Sequence, residues 1–284
     1  ILKFIFPMSA ISKDDVLNLR EKTGAGLIDC KRALVESNGD IDEAISILRK
    51  KGVASAAKKA GRDAGEGIVA QCLSEDRTKG ILVEVNCETD FVAKNDDFVS
   101  FASDVARQLL ANPDSDLEAQ RTEQVAKIGE NIRISRSSTL APNATGLVES
   151  YVHTGGKVAV LLTLGSSTTE AANSENVKLL AKDLCMHIAA TSPVCVSRDE
   201  VPADLVAKEK EIALAQAEGK PPQAIEKIVQ GKLDKYFANS CFLEQSFVKD
   251  PDHSIKGLLE KTGKEIGAEL LVEKFVRFQV GEEA

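Results

Sequence analysis

The chain of 284 residues has no tryptophan, and its few aromatic residues are mostly phenylalanine. None of its six cysteines stands in C-x-x-C spacing, which argues against a zinc site or a disulfide framework and is typical of a reducing compartment. We expect most of these thiols to be small residues of the core. No apolar run approaches the about 20 residues that a membrane-spanning helix needs, so we expect no membrane association.

The apolar opening Ile1–Pro7 is too short for the core of a signal peptide and lacks a small-residue cleavage site. Met8 is followed by Ser-Ala, which has the form of a natural start. We therefore interpret residues 1–10 as an extension, and we expect the folded chain to begin at residue 11.

The sequence also lacks the catalytic and nucleotide-binding motifs G-x-x-x-x-G-K-[ST], G-x-G-x-x-G and H-E-x-x-H. His187 falls on the apolar face of Val177, Leu180 and Leu184, which favours a hydrogen-bonded core histidine over a catalyst. His153 follows a strand pattern and precedes two glycines, which predicts an exposed position. We expect no enzymatic activity, no metal site and no cofactor. The alternative is an enzyme with an unrecognised small-molecule cleft that uses His187.

Charge is spread unevenly along the chain. Residues 11–62 carry eleven basic and eight acidic side chains, whereas the whole chain has a formal net charge of −8. The acidic remainder argues against non-specific binding to a phosphate backbone. The stretch from Arg49 to Arg62 contains no acidic residue. This basic strip, residues 49–62, is either a solvated linker face or a docking strip in an accessory protein that binds nucleic acid.

Three short amphipathic helices are predicted in residues 11–52. Ser12 with Asp15, and Asp40 with Glu43, have the spacing of capping boxes at two helix starts. Gly52 is predicted to end the third helix, and residues 53–66 to form an Ala/Lys-rich helical linker. A unit of this size has only a small core, which favours a docking module over a catalytic one.

Beyond residue 66 the period of the apolar pattern changes from helical to two. Alternate residues from Ile81 to Cys87 fall on one face of a predicted strand, and Ile68–Leu73 is its expected partner. A helical apolar stripe runs from Phe98 to Leu109, and a further helix is predicted over about 116–132.

A weak repeat relates two strand-plus-helix segments, whose helices read Ala102–Pro113 and Ala181–Pro193. We interpret it as two related α+β subdomains, residues 67–145 and 146–284, and chance similarity of two amphipathic helices is the alternative. A charged helical hairpin (coiled coil) over about 201–237 turns at Glu218–Pro222 within the second subdomain. A helix at 254–262 and a strand at Val272–Val280 end the chain.

One junction stands out. The strand that ends at Glu88 is followed by Thr89, Asp90, Phe91 and Val92, and Asn95 or Asp96 can cap the next helix. Phe91 lies seven residues before Phe98 and beyond the cap, so it need not belong to the apolar stripe. It either packs back as a hydrophobic staple or stays exposed as an interface anchor.

Several blocks together resemble the elongation factor Ts family, in the right order and across essentially residues 11–281. They are Leu19–Gly26 with Asp29–Lys31, Asn38–Asp40, Glu84–Ala93, Lys127–Ile132 and Phe275–Phe278. The resemblance implies a three-helix ubiquitin-associated-like domain at the N-terminus and a core of two α+β subdomains with a coiled-coil insertion. It favours the exposed alternative for Phe91.

The resemblance also implies a partner and a site. The partner is the GTPase elongation factor Tu, and the activity is guanine-nucleotide exchange without bond chemistry. Thr89, Asp90, Phe91 and Val92 are expected to enter the GTPase near its Mg²⁺ and nucleotide phosphates. Ile128 and Gly129 are expected to add an apolar contact, and His153 a contact to another domain of the partner.

Cellular context follows from the same resemblance. We expect a bacterial cytoplasmic protein, with an organellar form that has lost its transit segment as the alternative. No stable nucleic-acid binding is expected. Whether two copies assemble with two partners is left open by the sequence.

Overall fold

The structure is a computed structural model, and it describes residues 11–282. The predicted extension at residues 1–10 lies outside the described residues. The described part of the chain begins with helices α1 (Lys13–Thr23), α2 (Leu27–Glu36) and α3 (Ile41–Lys59). Ser12 and Asp15 form the expected capping box, and the Asp40 side chain accepts from Glu43 N, because these groups satisfy free N–H donors at the helix starts. Leu19, Cys30, Leu34 and Ala44 make a small core between the three helices.

The first sheet follows. It comprises β1 (Glu66–Leu73), β2 (Gly80–Cys87) and β3 (Arg133–Leu140), antiparallel in the order β1-β2-β3. The chain between β2 and β3 forms α4 (Asp90–Ala93), α5 (Asp96–Ala111) and α6 (Glu118–Ile128). The period-two pattern of β2 places Ile81, Val83, Val85 and Cys87 on one face, as predicted, and this face packs against α5. The strand β3 was not predicted.

Gly52 does not end the third helix, so that prediction was wrong. Helix α3 continues to Lys59 and buries Gly52 against α6. A Cβ built at Gly52 would lie 3.3 Å from Ala126 Cβ, so the missing side chain allows close helix approach. An interior glycine costs about 1 kcal/mol relative to alanine. Packing against α6 outweighs that cost here, and the basic strip therefore begins on a continuous helix.

The second sheet comprises β4 (Gly146–Val152), β5 (Val158–Ser166) and β8 (Leu270–Gln279), the last strand that the structure describes. These strands are antiparallel in the order β4-β5-β8. Helices α7 (Thr169–Asn173) and α8 (Glu175–Thr191) follow β5. Leu162, Leu164, Leu184 and Ile188 belong to the core between this sheet and α8.

The two sheets pack face to face, which explains why every residue of β2 is buried. The shared layer contains Val69, Leu82, Val148, Leu161 and Phe278. Gly80 lies against the layer between the sheets. A Cβ at Gly80 would lie 2.6 to 2.9 Å from side-chain carbons of Leu73, Val148 and Leu161. The expected mixed α+β fold is confirmed; the ubiquitin-associated-like domain and the relatedness of the two halves stay predictions.

A helical hairpin interrupts the second half, as predicted. Its helices α9 (Ala203–Gln216) and α10 (Pro222–Ser240) pack on each other, and Phe242 N donates to Cys195 O across its base (2.9 Å). The hairpin β6 (Ser246–Phe247) and β7 (Asp250–Ser254) and helix α11 (Ile255–Ile266) lead into β8.

The six cysteines are free, and five of them are buried, as the sequence predicted for small core residues. Within residues 11–282, no helix is long and apolar enough to cross a bilayer.

Candidate functional site

The segment Thr89–Val92 begins a four-residue helix, α4, rather than an open turn. Thr89 is its N-cap, and the Thr89 Oγ1 accepts from Val92 N (3.3 Å). Asn95 caps α5 directly afterwards, since its Oδ1 accepts from Asp97 N (2.9 Å) and Phe98 N (3.4 Å). Two successive caps therefore set the direction of α4 between β2 and α5.

Phe91 projects away from the core. Its side chain is 82% exposed, whereas Phe98 is completely buried in the core under α5. The staple alternative is therefore wrong, because a staple would bury the ring against the helix start. Ala93 is buried and Val92 is half-buried, so α4 is held from its inner side while the ring faces solvent.

Asp90 lies beside Phe91 and carries a stable negative charge. Its Oδ2 accepts from Lys94 Nζ (2.7 Å), one helical turn away. This hydrogen bond and the lysine charge lower the pKa of Asp90 and raise the pKa of Lys94. Near neutral pH the α4 start thus presents an exposed aromatic ring next to an exposed carboxylate.

The Ile128–Gly129 segment is joined to this helix start through Glu130. Gly129 ends α6 in the left-handed region (φ 91°), which turns the chain sharply toward Glu130. The Glu130 carboxylate accepts from Glu88 N (3.1 Å), Thr89 N (3.0 Å) and Thr89 Oγ1 (2.7 Å). Sequence reasoning missed this connection, because the two segments lie about 40 residues apart.

His153 lies on the other wall of an open cleft of about 490 Å³, whose first wall includes Lys94 and Val99. The imidazole is exposed, as predicted, and its Nδ1 is 3.0 Å from Tyr151 Oη. The fold therefore brings His153 to the same side of the molecule as α4, although another strand pair supplies it.

His187 is not part of any exposed site. It is completely buried, its Nε2 is 2.8 Å from Gln245 Oε1, and its Nδ1 is 3.2 Å from Val248 N, which donates to it. The prediction of a hydrogen-bonded core histidine is confirmed. Among residues 11–282 no group of three or more His, Cys, Asp or Glu side chains is arranged to hold a metal ion.

The basic side chains of residues 49–62 are mostly exposed on α3 and the chain after it. Lys51 Nζ lies 2.8 Å from Glu36, and Arg62 Nη1 lies 3.4 Å from Glu88. The Lys51–Glu36 pair is exposed on both sides and contributes little stability. Part of the charge in this strip is thus already paired within the protein.

A family model described as Elongation factor TS matches residues 88–282. The protein named Elongation factor Ts from Clostridium perfringens (strain SM101 / Type A) is 46% identical over 289 residues, which cover 96% of this chain and 93% of that protein. The chain belongs to the elongation factor Ts family. The Elongation factor Ts of Prosthecochloris aestuarii (strain DSM 271 / SK 413) is 43% identical over 293 residues, 96% of this chain and 100% of its own length.

Elongation factor Ts proteins are translation factors of protein biosynthesis and act as guanine-nucleotide exchange factors, as the sequence resemblance implied. The matched region begins at Glu88 and so includes the whole of α4, the Ile128–Gly129 segment and His153. Nothing in these comparisons supports the nucleic-acid alternative for the basic strip.

Proposed function

We propose that this chain binds elongation factor Tu in its GDP state and promotes GDP release by placing α4 near the Mg²⁺ and phosphates, after which GTP rebinds. The observation that carries this proposal is Phe91, an 82% exposed aromatic on a short helix that Thr89 caps at its N-terminus and that is followed directly by Asn95, the cap of α5. An exposed aromatic on a well-positioned element is how interface anchors are built.

The physical role of α4 follows from how GTPases hold GDP. They hold it largely through Mg²⁺ and backbone donors around the phosphates. Phe91 is suited to separate packed elements of the partner, and the Asp90 carboxylate to compete electrostatically for groups around the metal and phosphates. The factor binds the nucleotide-free state more tightly than the nucleotide-bound state, and by linkage nucleotide must also expel the factor.

Three further residues are proposed as partner contacts. Ile128 and Gly129 adjoin the start of α4 through Glu130, so they extend the same surface. His153 faces the cleft next to Lys94, and we assign it to a different part of the partner. Thr89 and Val92 complete the set, Thr89 through its capping role and Val92 through its position beside Phe91.

Residues 11–52 are proposed as a docking domain, with 53–66 as linker and residues 67–145 and 146–284 as the two core subdomains. The support is an apolar surface on α2 that its own small core leaves exposed, with Ile28 69% exposed and Leu27 and Val35 also exposed.

Ile28→Ser is expected to weaken the partner's affinity without slowing GDP release at saturating factor. An unchanged dissociation constant for this variant would argue against docking through α2.

The test of the main proposal is the release of a fluorescent GDP analogue from elongation factor Tu on adding the intact protein. Phe91→Ala is expected to slow stimulated release at least tenfold. The substitution removes the ring that is proposed to separate packed elements of the partner near its nucleotide site. Leu179→Ala is the control, since Leu179 is 63% exposed on α8 in the other half of the core. Wild-type stimulation by Phe91→Ala would remove Phe91 from the mechanism.

The setting we propose is the bacterial cytoplasm, the compartment of translation in the organisms whose relatives match this chain.

A further inference from the structure

We infer that Glu130 is a positioning residue for nucleotide exchange, whose carboxylate holds the start of α4 and the Ile128–Gly129 segment as one unit. This inference rests on the proposed function, because it concerns how Phe91 is presented to the partner. Glu130 itself is assigned no contact with the nucleotide site.

The geometry consists of one carboxylate and three donors. Glu130 Oε2 accepts from the backbone N–H of Glu88 (3.1 Å) and of Thr89 (3.0 Å), and Oε1 accepts from Thr89 Oγ1 (2.7 Å). A reciprocal bond runs the other way, since Glu88 Oε1 accepts from Asn131 N (2.6 Å). Bonds to an ionised carboxylate are stronger than bonds between neutral groups. The end of β2 and the chain after α6 are therefore joined by charge-assisted bonds in both directions.

The Thr89 hydroxyl links this clamp to Phe91. It donates a hydrogen bond to Glu130 Oε1 (2.7 Å). This bond orients the hydroxyl oxygen, which accepts from Val92 N (3.3 Å) as the N-cap of α4. A helix of four residues has too few internal bonds to persist alone. Its direction depends on its cap, and the orientation of the cap depends on Glu130.

The clamp lies outside the main core. Glu130 is half-buried, whereas Ile132 and Val125 on either side of it are completely buried among the apolar residues under the first sheet. Asn131 is anchored separately, because its Nδ2 donates to Arg62 O (2.9 Å). Removing the Glu130 carboxylate is therefore expected to loosen the start of α4 while leaving the sheet and its core in place.

The experiment compares Glu130→Ala with Glu123→Ala, a control on the preceding helix α6 whose exposed side chain takes part in none of the clamp's hydrogen bonds. In the intact protein, hydrogen exchange of the Glu88 and Thr89 amides should accelerate at least tenfold in Glu130→Ala and stay unchanged in Glu123→Ala. Unchanged protection of both amides in Glu130→Ala would overturn the clamp without reference to any partner.

The functional arm uses stimulated GDP release at saturating factor. Glu130→Ala is expected to slow release about fivefold or more, while the factor concentration at half-maximal rate changes less than twofold. Combined with Phe91→Ala, it should add less than a twofold further loss, because a positioning residue has nothing to position once the ring is gone. Glu130→Gln, which retains one acceptor oxygen, should recover part of the rate.

The outcomes separate this inference from the proposed function. Wild-type release by Phe91→Ala would overturn the proposed function, and with it the functional role of Glu130. A slow Phe91→Ala with a wild-type Glu130→Ala would overturn the Glu130 inference alone. Full additivity of the two substitutions would also overturn it, because Glu130 would then act independently of the ring.

Discussion

Replacing Phe91 with alanine is expected to leave the stability of the free protein almost unchanged. The ring is 82% exposed, so folding removes only about a fifth of its surface from water. A phenylalanine side chain buries about 200 Å² when it is fully enclosed. About a fifth of that area at about 25 cal/mol per Å² contributes about 1 kcal/mol. The higher helix propensity of alanine offsets about 0.5 kcal/mol of this loss, which leaves a net change of about 0.5 kcal/mol.

Phe98 is the matched control, because it is seven residues away on the next helix and completely buried. Truncating a buried phenylalanine to alanine costs about 3–5 kcal/mol. Urea unfolding followed by circular dichroism should therefore give a transition for Phe91→Ala that nearly overlaps the wild type and a clearly lower midpoint for Phe98→Ala. A loss above about 2 kcal/mol for Phe91→Ala would place its ring in the core and refute the reasoning. With the GDP-release assay, the pair separates loss of function from loss of fold.

The other predictions concern stability and thiol chemistry. Gly80→Ala should lower the free energy of unfolding by about 1–3 kcal/mol, because its Cβ would overpack the layer between the sheets. Gly231→Ala on α10 should raise the free energy of unfolding, because its Cβ meets nothing within 4 Å and alanine is the better helix former. Burial lowers the pKa of His187 from its ordinary 6.5. The free energy of unfolding should therefore fall as the pH drops below 6.5 and level off below the native-state pKa. Urea titrations of His187→Gln at several pH values should lack this pH dependence. A thiol reagent at about pH 8 should modify the half-buried Cys72 first. Cys87 should react slowly, because burial raises its pKa to about 12. Mass spectrometry of the native protein after labelling measures the extent of modification at both thiols.

Local signals predicted much of the architecture. Ser12 and Asn95 cap helix starts as their side chains predicted, and the alternation along β2 separated its two faces correctly. The hairpin turn at Glu218–Pro222 was also recognised, because glycine and proline end and begin helices. These features depend on residues within a few positions of one another, so the sequence alone carries them.

Features that depend on distant partners were missed or wrong. Gly52 breaks helix propensity, but the close approach of α6 keeps α3 continuous through it. The strand β3 alternates exposed and half-buried residues and ends in one buried leucine, so its apolar pattern is too weak to identify it. The exposure of Phe91 was one of two open alternatives on the residues alone, since no local signal distinguishes a staple from an anchor.

The energy needed for exchange bears on the role proposed for the clamp at Glu130. Accelerating release about 10⁴-fold means lowering a barrier by about 5.5 kcal/mol. In the proposed complex, burying the Phe91 ring on the partner contributes only about 1.5–3 kcal/mol, so the proposed contacts of α2 and the core must supply much of the rest as binding energy. Binding energy from other contacts can open the nucleotide site only if α4 keeps its position when it contacts the partner. In the proposed mechanism the four-residue helix keeps its direction through the Thr89 cap and through the Glu130 carboxylate that accepts from Thr89 Oγ1. In the proposed mechanism the ring sets the point of contact next to the nucleotide site, and the Glu130 clamp determines how much of the binding energy acts at that point.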